Sequence, residues 1–215
     1  MIAASRLLQR ISKLLDQQRA DWALVGGWAV SVRTEPRFTR DIDVAVAVGS
    51  DKDAEKLISV LTQAQFQIEA IVEQTAVGRL ATVRLASPDT DAPGLLLDIL
   101  FASSGLEPEI CETADRLEVF PGIVVPVARP EYLLAVKILA RDDETRPQDQ
   151  QDIRMLLCAM DDHQVAITRQ LLDSITARGF NRGKDLQAEL NVFAHSATDP
   201  RRLAAGKSHA ETRRR

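Results

Sequence analysis

Residues 40–48, RDIDVAVAV, constrain this chain more than any other stretch, because they alternate with a period of two. The even positions, Ile42, Val44, Val46 and Val48, are β-branched, whereas the odd positions, Asp41, Asp43, Ala45 and Ala47, are acidic or small. Successive strand side chains point to opposite faces, so the pattern demands a strand with one face in a core and both carboxylates on the other. Two like charges held that close repel unless a cation lies between them. A second strand, residues 95–101 (LLLDILF), is apolar enough for full burial yet is interrupted by Asp98. An unpaired carboxylate there costs on the order of several kcal/mol or is forced to neutralise. If the two strands are neighbours, a divalent ion held by Asp41, Asp43 and Asp98 removes all three problems. Oxygen-only ligands favour Mg²⁺ or Mn²⁺ over zinc. The plainer alternative leaves Asp41 and Asp43 as solvent-facing strand residues.

Around these strands the pattern is mixed. A helix over 5–19 precedes a short apolar strand at 22–25, the Gly26-Gly27 break, and a short helix at 28–32 that ends before Glu35-Pro36. A helix over 51–61, with Asp51 near its cap, leads to strands at 66–73 and 79–85, a turn-rich loop, the strand at 95–101, a weak helix near 108–116 and a last strand at 123–127. From Pro130 on, the periodicity is helical only, over 130–142, 147–160, 165–177 and 183–194. The expected class is α/β (α+β): a mixed sheet flanked by helices in residues 1–128, followed by a helical C-terminal domain over 129–200. A chain of 215 residues is long enough for one core with such an appendage.

Composition removes several classes of function. Cys111 and Cys158 stand alone, which leaves neither a disulfide scaffold nor a Cys-type zinc site. The three histidines, His163, His195 and His209, all lie in the last third, which argues against a His-metal enzyme or a Ser-His-Asp hydrolase. No apolar run approaches a membrane span. The N-terminus has no acid before Asp16, but Leu7, Leu8, Ile11, Leu14 and Leu15 fit one face of an ordinary amphipathic helix, and the chain reads as cytoplasmic. Net charge is −4, divided unevenly: residues 201–215 carry +5 and the rest −9. Such a tail reads as a solvated, disordered end, and a basic tail on an acidic body also suits nucleic acid.

Gly26-Gly27 directly follows a strand and precedes a helix, where backbone approaches a phosphate closely and helix N–H groups point at it. A simple tight turn is the alternative. Thr39 and Arg40 adjoin the acidic strand, where a hydroxyl and a guanidinium suit phosphate oxygens. Arg33 and Arg37 are equally well explained by surface placement.

Taken together, LVGGWAVSVRTEPRFTRDIDVAVAV resembles the signature of the DNA polymerase β-like nucleotidyltransferase superfamily, and within it the AbiEii/MenT-type toxins. The resemblance implies a nucleotidyltransferase-type fold in which Gly26 and Gly27 position an NTP triphosphate and Asp41, Asp43 and Asp98 hold two metals. These activate a hydroxyl nucleophile and neutralise departing pyrophosphate. Farther on, EYLLAVKILARDDETRPQDQQDIRMLL is similar to the family's helix with a Lys, an Arg one turn later, and an Asp-x-x-Asp helix. It implies that Lys137 contacts the triphosphate, with Arg141 on the same face and Asp149 or Asp152 orienting the lysine or capping the helix. Substitution of Lys137 by alanine is then expected to spare thermal stability. An ordinary surface ion pair is the alternative. Gly27-Trp28 departs from the Gly-Ser of many members, and Gly-Gly-Trp-Ala also resembles enzymes that modify aminoglycosides or lincosamides. Three functions follow in order: transfer to RNA, tRNA above all, as a toxin with a cognate antitoxin; transfer to a small antibiotic; and a non-catalytic scaffold of the same fold.

Overall fold

Leucines and isoleucine at helical spacing form the first element, α1 (Ile2–Gln17), which buries Leu7, Leu8, Ile11 and Leu15 completely. The computed structural model describes residues 2–88, 94–144 and 147–197, and the basic tail lies outside them. After α1 come β1 (Asp21–Val25), α2 (Gly26–Arg33), β2 (Ile42–Ala47), α3 (Asp51–Gln63), β3 (Gln67–Gln74), β4 (Arg79–Ala86) and β5 (Leu96–Leu100). The first half closes with α4 (Glu107–Thr113), β6 (Asp115–Phe120) and β7 (Ile123–Val127). The helices α5 (Pro130–Ala140), α6 (Pro147–Ala159), α7 (Asp162–Ala177) and α8 (Leu186–Ala197) complete the described chain.

The strands make one seven-stranded mixed sheet in the order β3-β4-β5-β2-β1-β7-β6. Parallel pairing joins β2 to β5 and β1 to β7, and the other neighbours are antiparallel. A parallel pair requires a long crossover. Between β2 and β5 it is supplied by α3 and the β3–β4 hairpin, so the two Asp-bearing strands become neighbours at the centre. The outermost strand on that side, β3, is exposed along nearly its whole length, with Ile68, Ile71 and Val72 open to solvent.

Several boundaries differ from the sequence pattern for identifiable reasons. Helix α2 begins at Gly26, two residues early, because Gly26 adopts φ +65° and turns the chain directly out of β1. Helix α3 begins at Asp51 as expected, next to its cap Ser50, whose hydroxyl accepts from the Asp53 N–H, and runs two residues past the expected end. Helix α7 starts three residues before the expected 165, fixed by a capping box between Asp161 and Gln164. Strand β6 falls partly where a weak helix was expected: DRLEVF pairs with β7 as a sheet edge and half-exposes its apolar side chains, which leaves little pattern.

One hydrophobic core runs from α1 through the sheet into α5, α6, α7 and α8. Arg33, at the end of α2, donates to the carbonyls of Val127 and Ala128 and pairs with Asp115, tying α2 to the β6–β7 edge. No described helix is long and apolar enough to cross a membrane.

Candidate active site

Strand register builds the site. Asp43 lies opposite Val25 on β1 and opposite Asp98 on β5; Asp98 lies opposite Arg84 on β4, and Arg84 opposite Ala70 on β3. Directly opposed residues share a face. A single row, Val25–Asp43–Asp98–Arg84–Ala70, therefore crosses five strands, and all five residues line one cavity of about 460 Å³. Val72, Thr82 and Leu100 line it as a second row two residues along. The facing wall comes from Leu133, Val136, Lys137 and Ala140 of α5, with Ser103, Asp142 and Arg182 from loops.

Gly26 lies against the Asp43 side chain of this row. A Cβ on it would stand 2.1 Å from Asp43 Oδ2, and its φ of +65° is itself a left-handed conformation. Gly26→Ala is expected to cost about 1–2 kcal/mol from the backbone alone and also to push the Asp43 carboxylate aside. Melting of the variant beside its turnover per folded molecule checks this; turnover should fall by at least about tenfold, more than the lost stability explains.

Asp41 lies just before β2 and not within it. Its Oδ1 is buried with no hydrogen-bond partner, an orphaned acceptor that a cation would satisfy. Asp98 is in a different state. Arg84 grips it with both prongs, Nε to Oδ1 at 2.8 Å and Nη2 to Oδ2 at 2.6 Å. These hydrogen bonds and the fields of Asp98, Asp41 and Asp43 raise the Arg84 pKa against the opposing effect of burial. As the side chains stand, no group of three or more His, Cys, Asp or Glu among the described residues is gathered tightly enough to hold a metal ion. The expected three-carboxylate cluster is thus incomplete: both oxygens of its third member are committed to a guanidinium. The donors themselves, all carboxylate oxygens with one orphaned and buried, suit a hard divalent ion.

Lys137 occupies the last turn of α5 and joins a buried charge network. Its Nζ donates to Asp149 Oδ1 at 2.6 Å and lies 2.8 Å from Asp152 Oδ2. Burial works to lower its pKa, but the fields and hydrogen bonds of Asp149 and Asp152 outweigh that and raise it. Arg37 donates to the same fully buried Asp152 at 2.5 and 2.7 Å. Both acids therefore hold Lys137, and Asp149 Oδ2 is left buried without a partner. Gly27 admits the loop that carries Arg37: a Cβ there would meet Thr39 Oγ1 at 2.4 Å and Arg37 Nη2 at 2.8 Å.

Three expected phosphate contacts do not line this cavity, although Thr39 Oγ1 stands against Gly27. Thr39 and Arg40 line a separate cavity of about 540 Å³ beside Trp28 and Phe38. Arg141 is the C-cap of α5, one turn after Lys137, but its side chain does not line the cavity. It pairs with Asp143 and Glu189 and stacks over Phe193 at 4.9 Å.

Arg84, Asp142 and Arg182 leave no functional mark in the sequence pattern taken alone, and for Arg37 surface placement was an equally good explanation. The one signal is positional: on β4 Arg84 follows Leu80 and Thr82 on the face opposite buried Ala81, Val83 and Leu85.

The loop after β5 delivers Ser103 to the cavity and is ordered by Glu107, whose Oε1 accepts from the backbone N–H of Ser103 and of Ser104 and from the Ser104 hydroxyl. Burial raises the Glu107 pKa despite those hydrogen bonds. The native state then binds more protons than the unfolded chain above the unfolded value of about 4.3, so this residue's contribution falls as pH rises through the native value. Glu107→Gln keeps the acceptor and removes the titration. Its melting temperature should match or exceed wild type at pH 7, with the gap closing below pH 5; a variant less stable at pH 7 than at pH 4.5, relative to wild type, contradicts this.

The sequence matches the family described as nucleotidyl transferase AbiEii toxin, type IV TA system, over residues 6–212. No curated protein matches the sequence. Among solved structures, the chain is similar to the solution structure of the antibiotic-resistance factor ANT(2'')-Ia, with 17% identity, a TM-score of 0.54, and coverage of 91% of this chain and 100% of that one. It is also similar to a crystal structure of ANT(2'')-Ia in complex with adenylyl-2''-tobramycin, with 15% identity, a TM-score of 0.52, and coverage of 82% and 98%. At such identities the likeness is one of fold.

Proposed function

Because this chain belongs to the AbiEii family of nucleotidyltransferase toxins, we propose that it moves a nucleoside monophosphate from an NTP to a hydroxyl of RNA, with tRNA as the acceptor. One observation carries the reading: Gly26, Asp43, Asp98 and Lys137, drawn from four separate elements, line one cavity. In this reaction the acceptor oxygen forms a bond to the α-phosphorus as it loses its proton. The α–β phosphoanhydride bond breaks, and pyrophosphate leaves with the electron pair. The backbone at Gly26-Gly27 and the first turn of α2 receive the triphosphate. Lys137, kept cationic by Asp149 and Asp152, meets the charge that grows on the leaving group. Asp41 and Asp43, with Asp98, would hold Mg²⁺ or Mn²⁺, which when bound supplies activation of the hydroxyl and neutralisation of phosphate charge.

The +5 tail supports RNA over a polycationic antibiotic through its attraction for phosphate. The family's type IV toxin–antitoxin description supports a cognate antitoxin as partner, and the cytoplasm is the expected compartment. Incubation with each α-³²P NTP, Mg²⁺ or Mn²⁺ and total tRNA, alongside a panel of aminoglycosides and lincosamides, tests the proposal. Label on tRNA supports it. Label on an antibiotic alone moves the acceptor to a small molecule, and label on neither opposes the catalytic reading.

A further inference from the structure

Asp98 stands between two claimants. On one side, in register across the parallel β2–β5 pair, is Asp43; on the other, across the antiparallel β4–β5 pair, is Arg84. Adjacent strands lie about 4.8 Å apart, so a cation shared by Asp43 and Asp98 and the guanidinium of Arg84 compete for the same carboxylate. Arg84 now holds both of its oxygens, and the two partners differ in setting: the Asp98 side chain is 11% exposed and that of Arg84 40%. The carboxylate is fixed in the sheet, while the guanidinium has open cavity beside it into which it can swing.

We propose that Arg84 is a displaceable internal cation, a positioning residue that occupies the third ligand of the metal site until a phosphate-bearing substrate draws it away. This rests on the metal reading given above. Release of Asp98 leaves a bidentate donor exposed in the same cavity, and a guanidinium fork matches phosphate oxygens as well as it matches a carboxylate. The nucleotide thus supplies Arg84 with a new partner as Asp98 turns to the metal. Metal and nucleotide then promote each other's binding, reciprocally, because each favours the arrangement with the Arg84–Asp98 pair open.

Titration of the full chain with Mn²⁺, read by the electron paramagnetic resonance of free Mn²⁺, tests this without turnover. Wild type should bind Mn²⁺ weakly alone and roughly tenfold more tightly with a non-hydrolysable NTP analogue, the size expected for loss of one partly exposed bidentate pair. Arg84→Met should bind Mn²⁺ alone roughly tenfold more tightly than wild type and lose most of the enhancement by the analogue. Arg84→Lys, which keeps the charge and forfeits the fork, should fall between them and serves if the methionine variant does not fold. Mn²⁺ affinity that is unchanged or weaker in the folded Arg84 variants overturns the inference. Asp43→Asn separates the two claims: wild-type Mn²⁺ binding in that variant removes the metal reading itself, whereas loss of binding there with no gain in Arg84→Met removes only the role of Arg84.

Discussion

Asp43→Asn is expected to lower nucleotidyl transfer by about a thousandfold, equivalent to roughly 4 kcal/mol of transition-state stabilisation, while the melting temperature stays within a few degrees of wild type. The two effects separate because of where the residue sits. Asp43 is the centre of the carboxylate row, paired with Asp98 across one strand and pressed against Gly26 at the end of another. Asparagine has the same shape and opens no cavity. It also removes one of three neighbouring negative charges whose repulsion the fold otherwise offsets with Arg84. Initial rates with saturating NTP, beside thermal melting of the same preparation, provide the check. Near wild-type turnover in a folded Asp43→Asn protein would mean that the row does not carry the chemistry.

Lys137→Ala should damage both activity and stability. A lysine serving only the triphosphate would spare stability when removed, as the family resemblance implied, but the buried contacts of Lys137 argue otherwise. The Lys137 ammonium is wedged between Asp149 and Asp152, whose side chains are 6% and 0% exposed. Removing one partner of a buried ion pair leaves charge without compensation, at a cost of about 3 kcal/mol, or roughly 6–12 °C of melting temperature for a domain of this size. Arg37 still serves Asp152, so the loss centres on Asp149. The double variant Lys137→Met with Asp149→Asn restores neutrality and should recover most of the melting temperature. Turnover should remain depressed by at least about a hundredfold, because the ammonium of Lys137 no longer meets the charge growing on the leaving group. Recovery of turnover along with stability in the double variant would reduce Lys137 to a structural partner.

What the sequence revealed and what it concealed follow from the range of the forces involved. Asp43 and Asp98 were legible because a charge inside an apolar, period-two run is a local anomaly. Gly26 was legible as punctuation between two elements. Arg84 was not, since its meaning depends on which residue of β5 it faces, and register is fixed by the whole sheet. Arg37 looked like a surface cation because its partner, Asp152, is 115 residues away. Arg141 was read from its spacing to Lys137, whereas one of the acids that engage it, Glu189, is 48 residues away.

The separation between Arg37 and Asp152 also has a consequence for the time at which the enzyme comes into being. A ribosome that has made the first 130 residues has already produced Gly26, Asp41, Asp43, Arg84 and Asp98. It has made neither Lys137 nor the acid that anchors the loop behind Gly27. Translation at about 5–20 residues per second supplies these only with α5 and α6, and the charge network closes last across the longest of these separations. A chain cut before residue 137 therefore carries the acidic row without Lys137, and one cut before residue 152 lacks the acid that binds both Lys137 and Arg37. In a nucleotidyltransferase of a toxin family, the acidic row is thus synthesised before the side chains that join it to the helices of the second half.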